Sequence, residues 1–212
     1  MIRYIKTEKE DDGFGVLLPV TVRRTVHDGT VIEAYGDIFD AVISVGTYDV
    51  FSEEYFAGIE DICRSAGYEI DTEAPDSHSF IYERPGGGEY TGAAVPLTEE
   101  TLEYENLLAS WDLRETMELN DRAYVKVVGG RIVSIAVGNF IKEYGDAEIA
   151  VETAEGFRKN GYARECINAV CASLEGRIAY VCGVGNIPSI ITAEKCGFER
   201  VGTVKYFVAY ED

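Results

Sequence analysis

The sequence has few of the residues that metal sites, nucleic-acid surfaces and membrane spans require. It contains two histidines, His27 and His78, far apart in the chain, and its five cysteines show no C-x-x-C spacing, so no zinc cluster is indicated. Basic residues number 19 against 38 acidic ones, which argues against a nucleic-acid partner because phosphate contacts need positive surface. No apolar run approaches the roughly 20 residues needed to cross a bilayer. The sequence therefore predicts a protein without a metal, nucleic-acid or membrane ligand.

The composition that remains is that of an ordinary globular protein. Hydrophobic residues make up 46% of the 212 positions, enough for a sizeable core. The first twelve residues are polar and charged and do not resemble a signal peptide, so we expect a cytoplasmic protein. The cysteines mostly lie in apolar segments, and we expect them to be reduced and buried.

Negative charge is concentrated in the first half of the chain. Residues 1–100 carry 21 acidic and 7 basic side chains, whereas residues 101–212 carry 17 and 12. An anionic ligand would meet less repulsion in the second half, and a cationic one would be drawn to the first. Solubility alone is the alternative explanation of the acidic excess.

A turn-forming stretch, Pro85–Gly88, predicts a boundary between two units, residues 1–88 and 89–212. The first unit is predicted to be an acidic α/β layer, accessory or on the acceptor side. Its predicted elements are strands over 16–26, 41–47 and 79–82 and a helix over 53–66.

The second unit is predicted to alternate strands and helices in a mixed α/β sheet. Thr98 is predicted to cap a helix whose apolar side carries Leu102, Leu107, Leu108 and Trp111. A hairpin is predicted at Gly129-Gly130, because two glycines accept the positive φ of a two-residue turn. The other predicted elements are strands over 90–97, 123–128, 132–137, 147–153, 177–184 and 204–210 and helices over 162–174 and 187–196.

A basic, glycine-containing loop joins the strand over 147–153 to the helix that follows. Its sequence is Phe157-Arg158-Lys159-Asn160-Gly161-Tyr162-Ala163. Free N–H groups and the positive end of the helix dipole suit an anion there, and Gly161 lets the main chain approach a phosphate. A plain connection without a ligand is the alternative.

Two motifs together resemble the GNAT superfamily of acetyl-CoA-dependent N-acetyltransferases. The loop is similar to the signature R/Q-x-x-G-x-G/A at Arg158, Gly161 and Ala163. Downstream, Asn186-Ile187-Pro188-Ser189 and Ala193-Glu194-Lys195-Cys196-Gly197-Phe198 are similar to N-x-x-S followed by A-E-K-x-G-F. The resemblance covers about residues 90–212 and is nearest to the zwittermicin-resistance-type branch, which carries an extra N-terminal region.

This resemblance implies a GNAT fold with an additional N-terminal α/β unit, and acetyl-CoA as cosubstrate. It implies that the loop holds the pyrophosphate of CoA and that the strand over 147–153 pairs with the pantetheine arm. The implied cofactor-binding residues are Thr153, Arg158, Lys159, Asn160, Gly161, Tyr162, Ala163, Asn186 and Ser189. Asn186 is also a good helix cap, and a role as cap alone stays open.

Transfer of an acetyl group to an amine needs a group that accepts a proton. Glu148 and Glu152 lie on one face of their strand, and the context Ala147-Glu148-Ile149 matches that of a glutamate base in the histone-acetyltransferase branch. We rank Glu148 ahead of Glu152, with solvation or ion pairing of either as the alternative.

The general acid of many relatives, a tyrosine four residues before the second-signature glycine, is replaced here by Ala193. Tyr206 or Tyr162 could take its role, or the thiolate could leave without a dedicated donor. No histidine lies near Cys182 or Cys196 in the sequence to activate either thiol, which argues against an acyl-cysteine.

The expected function is direct acetyl transfer to a primary amine of a small molecule or peptide, cationic in character, with a homodimer as a candidate assembly. Two alternatives stay open. One is a non-catalytic CoA- or acyl-CoA-binding sensor or interaction module, favoured by Ala193. The other is an oligomeric structural protein whose interface uses some of the 14 tyrosines.

Overall fold

The computed structural model describes residues 2–9, 16–45, 49–72, 74, 77–119, 122–139 and 144–210. Within these ranges the chain forms eleven strands, five α-helices and two single turns of 3-10 helix. The strands are β1 (Ile2–Thr7), β2 (Val16–Thr25), β3 (Gly29–Tyr35), β4 (His78–Pro85), β5 (Val95–Pro96), β6 (Glu105–Asn106), β7 (Ala123–Val128), β8 (Arg131–Asn139), β9 (Ala147–Thr153), β10 (Arg177–Gly183) and β11 (Glu199–Tyr210). The α-helices are α1 (Phe39–Ser44), α2 (Glu53–Ser65), α3 (Leu113–Leu119), α4 (Tyr162–Ser173) and α5 (Ile187–Lys195), and the 3-10 turns are Thr101–Glu103 and Glu155–Phe157.

These elements belong to two compact units. The first comprises the described residues of Met1–Ile81, Cys182–Gly185 and Val201–Asp212, and the second those of Tyr82–Val181 and Asn186–Arg200. The division is therefore not a single cut near residue 88. The end of the chain groups with the first unit because β11 forms an antiparallel ladder with β2, in which Gly202 faces Thr25 and Tyr210 faces Val16.

The first unit is a mixed sheet covered by helices. Strand β1 runs parallel to β3, and β2 is antiparallel to both β3 and β11. Ser52 is the N-cap of helix α2, and its Oγ accepts the N–H of Tyr55 at 3.2 Å. It buries Tyr55, Ile59 and Cys63 against a core that includes Phe207. The predicted helix over 53–66 and the predicted strands over 16–26 and 79–82 are confirmed.

The strand predicted over 41–47 is wrong, because residues Phe39–Ser44 form helix α1 and residues 46 and 47 lie outside the described part. Phe39, Val42 and Val45 are spaced three residues apart and pack on the core of the first unit. That helical spacing outweighs the β-branched composition of the segment.

The second unit is built on the antiparallel strands β7, β8 and β9. The hairpin between β7 and β8 turns at Gly129 and Gly130, with φ of 57° and 73°, as predicted. Helix α4 packs on one face of this sheet. Gly138 of β8 lies beneath this helix, where a Cβ would stand 3.0 Å from Val170 Cγ1 and 2.8 Å from Cδ1 of Leu174, the residue after the helix. The predicted strands over 147–153, 177–184 and 204–210 and helices over 162–174 and 187–196 are confirmed.

The opposite face of β7 and β8 is covered by residues 97–113, where two predictions are wrong. The strand over 90–97 is reduced to Val95–Pro96, and the helix after Thr98 to one 3-10 turn, Thr101–Glu103. The Oδ1 of Asn106 accepts the N–H of Leu108 at 3.0 Å, a local turn that competes with a helix. The predicted apolar residues still reach the core, with Leu108 buried and Leu102, Leu107 and Trp111 partly buried.

All five cysteines are free thiols with buried side chains, which confirms that prediction. None of the described helices is both long enough and apolar enough to cross a membrane.

Candidate cofactor and catalytic site

The loop between β9 and α4 leaves the first amides of α4 without a side-chain cap. Gly161, the N-cap residue, has φ 82° and ψ 6°, and its position shows no side-chain cap hydrogen bond in this described loop. Lys159 is also left-handed, with φ 66°. A Cβ at Gly161 would meet only Arg164 Nη2, at 3.9 Å, so backbone conformation rather than space favours glycine there.

The loop is held by its own polar groups and carries exposed positive charge. The side-chain amide of Asn160 donates to the carbonyl oxygens of Phe157, at 3.1 Å, and Arg158, at 3.3 Å. Arg158 Nε donates to the carbonyl oxygen of Thr153 at 3.2 Å. Arg158, Lys159 and Arg164 are all exposed. Helix amides without a side-chain cap, together with nearby cations, form a donor set suited to a pyrophosphate.

Strands β9 and β10 pair over two residues only. Ile178 faces Ala147 and Ala179 faces Glu148 in a parallel register, and beyond these positions the two strands do not pair within the described residues. Strand β8 continues to pair with β9 as far as Thr153. One edge of Ile149–Thr153 therefore lacks a strand partner, and a chain with amide groups could pair with it.

Asn186 is the N-cap of α5, and its Oδ1 accepts the N–H of Ser189 at 3.2 Å. The Oγ of Ser189 lies 3.2 Å from the hydroxyl of Tyr180, a buried residue of β10 whose ring packs edge-on against Phe198. Tyr180 could not be predicted as a partner of Ser189, because nothing in an apolar strand marks one aromatic residue as facing a polar side chain.

Glu148 and Glu152 lie on the same face of β9 but in different surroundings. Glu152 Oε1 accepts the N–H of Ala109 at 2.9 Å, and its Oε2 accepts the N–H of Ser110 at 3.2 Å. Glu148 is half-buried and stands at the last position where β9 pairs with β10. Glu152 thus orders the loop over residues 109–110, whereas Glu148 stands where the two strands separate.

The two tyrosines that are candidates for the proton donor belong to different units. Ala193 is fully buried. Tyr162 begins α4, and its ring centroid is 5.5 Å from Lys126 Nζ. Tyr206 belongs to the first unit, where its N–H donates to the carbonyl oxygen of Ser77 at 2.8 Å. Burial raises the pKa of Cys196 to about 11, so this thiol is neutral at pH 7 and does not suit an acyl-cysteine.

Sequence reasoning also missed an ion pair at the start of α4. Lys126 Nζ of β7 lies 2.6 Å from Glu165 Oε2. The two residues are 39 positions apart, so only the sheet topology brings them together.

Three solved structures are similar to parts of this chain. An acetyltransferase from the GNAT family of Colwellia psychrerythraea is 12% identical, with TM-score 0.45, over 72% of this chain and 61% of its own. A GCN5-related N-acetyltransferase from Kribbella flavida is 12% identical, with TM-score 0.41, over 73% and 64%. A Drosophila protein is 10% identical, with TM-score 0.50, over 76% and 58%. The matched region is thus less than two thirds of each of these chains, and the likeness concerns the fold alone.

None of the curated proteins matches this sequence significantly. The model of the acetyltransferase (GNAT) family matches residues 89–198, just over half of the chain, and this range contains the loop, the separated strands and both signatures. The chain belongs to the GNAT acetyltransferase family.

Proposed function

We propose that this protein transfers the acetyl group of acetyl-CoA directly to a primary amine. The observation that carries the proposal is the separation of β10 from β9 after Glu148, directly before a loop that presents uncapped helix amides. Support comes from the fit of both features to one ligand. The loop over 158–163 suits the pyrophosphate of CoA, and the open edge of Ile149–Thr153 suits the amides of pantetheine.

Glu148 is the proposed general base. Glu148 is half-buried at the position where β9 and β10 separate. Both carboxylate oxygens of Glu152 accept backbone N–H groups of the loop over residues 109–110. In the proposed reaction the amine nitrogen attacks the thioester carbon, a C–N bond forms and the C–S bond breaks. Glu148 accepts the proton that the nitrogen loses, directly or through water.

Tyr206 stays the proposed proton donor to the thiolate, with Tyr162 as the alternative. Replacing either tyrosine by phenylalanine removes the hydroxyl and little else. If one tyrosine is the general acid, its phenylalanine variant should have a lower kcat than the wild type. If both variants keep the kcat of the wild type, the thiolate leaves without a dedicated proton donor.

The acceptor is proposed to be a cationic amine of a small molecule or peptide, which the acidic first unit attracts. The reaction is proposed to take place in the cytoplasm. The test replaces Asp61 and Glu69, both exposed in the first unit, by asparagine and glutamine. The KM for the amine should rise, while the matched replacement of Glu175 and Glu194 in the second unit should leave it unchanged. An unchanged KM in both pairs would contradict this part of the proposal.

The resemblance to the zwittermicin-resistance-type branch and the assembly as a homodimer both stay predictions.

A second candidate function is a CoA- or acyl-CoA-binding sensor without turnover, favoured by buried Ala193 in place of a tyrosine. Thiol release from acetyl-CoA in a panel of primary amines separates the two. The enzyme releases CoA with at least one amine and loses about 100-fold or more in kcat when Glu148 becomes glutamine. A sensor binds acetyl-CoA but releases no thiol, and Glu148→Gln changes nothing.

A further inference from the structure

An ion pair ties the first turn of α4 to β7 of the second unit. Lys126 Nζ of β7 and Glu165 Oε2 of α4 are 2.6 Å apart, with only 13% and 31% of their side chains exposed. The same ammonium lies 5.5 Å from the ring centroid of Tyr162, the first residue of α4. The hydrogen bond that the Lys126 ammonium donates to Glu165 raises the pKa of Lys126, so the ammonium is charged at neutral pH.

Glu165 occupies a position that is unfavourable for an anion-binding helix end. Its N–H donates to the carbonyl oxygen of Gly161 at 3.1 Å, which places it in the first turn. Side chains of a helix lean toward its N-terminus, so the carboxylate points to the end where the uncapped amides lie. An unpaired carboxylate there would repel a pyrophosphate and oppose the helix dipole's attraction for it.

We propose that Lys126 is a positioning residue for the phosphate groups of CoA, acting by cancelling the charge of Glu165 beside the loop over 158–163. This inference rests on the proposed function, because it assumes that the loop receives CoA. It deepens that function by naming a residue outside both sequence signatures on which the affinity for the phosphorylated cosubstrate depends.

The test is a double-mutant cycle that removes the two charges in the full chain, with calorimetric titration of CoA and of phosphate-free pantetheine. Lys126→Met should raise the Kd for CoA about tenfold and leave the Kd for pantetheine unchanged. The double variant Lys126→Met/Glu165→Gln lacks both charges and should return to within about threefold of the wild type. Lys126→Arg keeps the charge and should bind CoA like the wild type.

The double variant separates charge from packing. Both the single and the double variant lack the Lys126–Glu165 bond, so a purely structural role for Lys126 predicts equally weak CoA binding in both. That result, or no effect of Lys126→Met, would overturn the inference while leaving the proposed function intact. A folded wild type that binds no CoA would overturn the proposed function and the inference with it.

A further variant keeps the inference testable if Lys126→Met does not fold. Glu165→Gln alone leaves an uncompensated ammonium near the loop, and it should lower the Kd for CoA severalfold without changing that for pantetheine. A higher Kd for CoA in this variant would contradict a role of Lys126 in charge compensation.

Discussion

The carboxylate of Glu152 accepts the backbone N–H of Ala109 at 2.9 Å, across 43 positions of the chain. Its second oxygen accepts the N–H of Ser110 at 3.2 Å. This contact fixes the loop that follows β6 on the face of β9 that also carries Glu148. Glu152 therefore has a structural role in ordering this loop, although the sequence presents the two glutamates of β9 as a pair.

The first prediction follows from this contact and from the proposed role of Glu148 as base. Glu152→Gln keeps one acceptor oxygen and should lower the free energy of unfolding by about 1–2 kcal/mol, with kcat within about tenfold of the wild type. Glu148→Gln removes the proposed base and should lower kcat at least about 100-fold. Urea unfolding and thiol release measure the two effects. A larger loss of kcat in Glu152→Gln than in Glu148→Gln would exchange the proposed roles.

Asn186 offers a test that separates helix capping from cofactor contact. Asn186→Ala removes the cap of α5 and should lower the free energy of unfolding by about 1 kcal/mol, whereas Asn186→Ser retains a capping oxygen. If Asn186 also contacts CoA, the Kd for CoA rises in both variants. If it only caps α5, Asn186→Ser binds CoA like the wild type, as calorimetric titration would show.

Arg84 of β4 connects the two helices of the second unit that follow the loop. Its Nη1 donates to Asn168 Oδ1 of α4 at 3.1 Å and to the carbonyl oxygen of Cys196, just after α5. Its guanidinium carbon lies 5.7 Å from the ring centroid of Phe198. Arg84→Met should therefore cost about 2 kcal/mol of unfolding free energy in urea.

The matched control is Arg114→Met, because Arg114 pairs with Glu99 at 3.0 Å while both side chains are more than half exposed. Such a surface pair contributes about 0.5 kcal/mol or less. Equal losses in the two variants would show that Arg84 does not hold the helices together.

Buried thiols predict a loss of stability in alkali. Burial raises the pKa of Cys196 to about 11 and that of Cys166 to about 12. In the unfolded chain these thiols ionise near pH 8.5, so above that pH the unfolded state binds fewer protons than the folded state. Their contribution to stability is fully present below about pH 8.5 and falls as the pH rises toward the folded pKa, by about 1.4 kcal/mol per pH unit for each thiol.

Urea unfolding at pH 8, 9 and 10 measures this slope. Cys196→Ala removes one of the thiols. The decrease of the unfolding free energy per pH unit should therefore be smaller by about the contribution of one thiol, whatever the other groups contribute. An unchanged slope in that variant would mean that Cys196 ionises in the folded protein, and the argument against an acyl-cysteine would then fail.

The parts of the fold that the sequence predicts well are those encoded by neighbouring residues. The turn at Gly129 and Gly130 needs positive φ at two successive positions, and glycines supply it. The parallel pairing of β1 with β3 joins residues about 28 positions apart, so no local sequence pattern predicts it. Around Ala41, β-branched composition favoured a strand, whereas packing on the core selected a helix.

The candidate site divides in the same way. The loop around Gly161 and the cap at Asn186 are local features, and the structure places both at helix starts. The contact of Glu152 with Ala109 and the pair of Lys126 with Glu165 depend on how the strands are ordered. Sequence spacing could not predict the contact of Glu152, because Ala109 and Ser110 lie more than 40 positions away in the chain.

The most direct test of the central proposal is a thermal unfolding series with CoA and acetyl-CoA. At 100 times its Kd, a ligand stabilises the folded state by about 2.7 kcal/mol. Wild type should shift in Tm and Gly161→Glu should not. Gly67→Glu is the control, because it places the same charge at a glycine with φ +93° and open surroundings in the first unit. A shift in wild type and Gly67→Glu, lost only in Gly161→Glu, is the predicted result; a folded wild type without any shift would contradict the account.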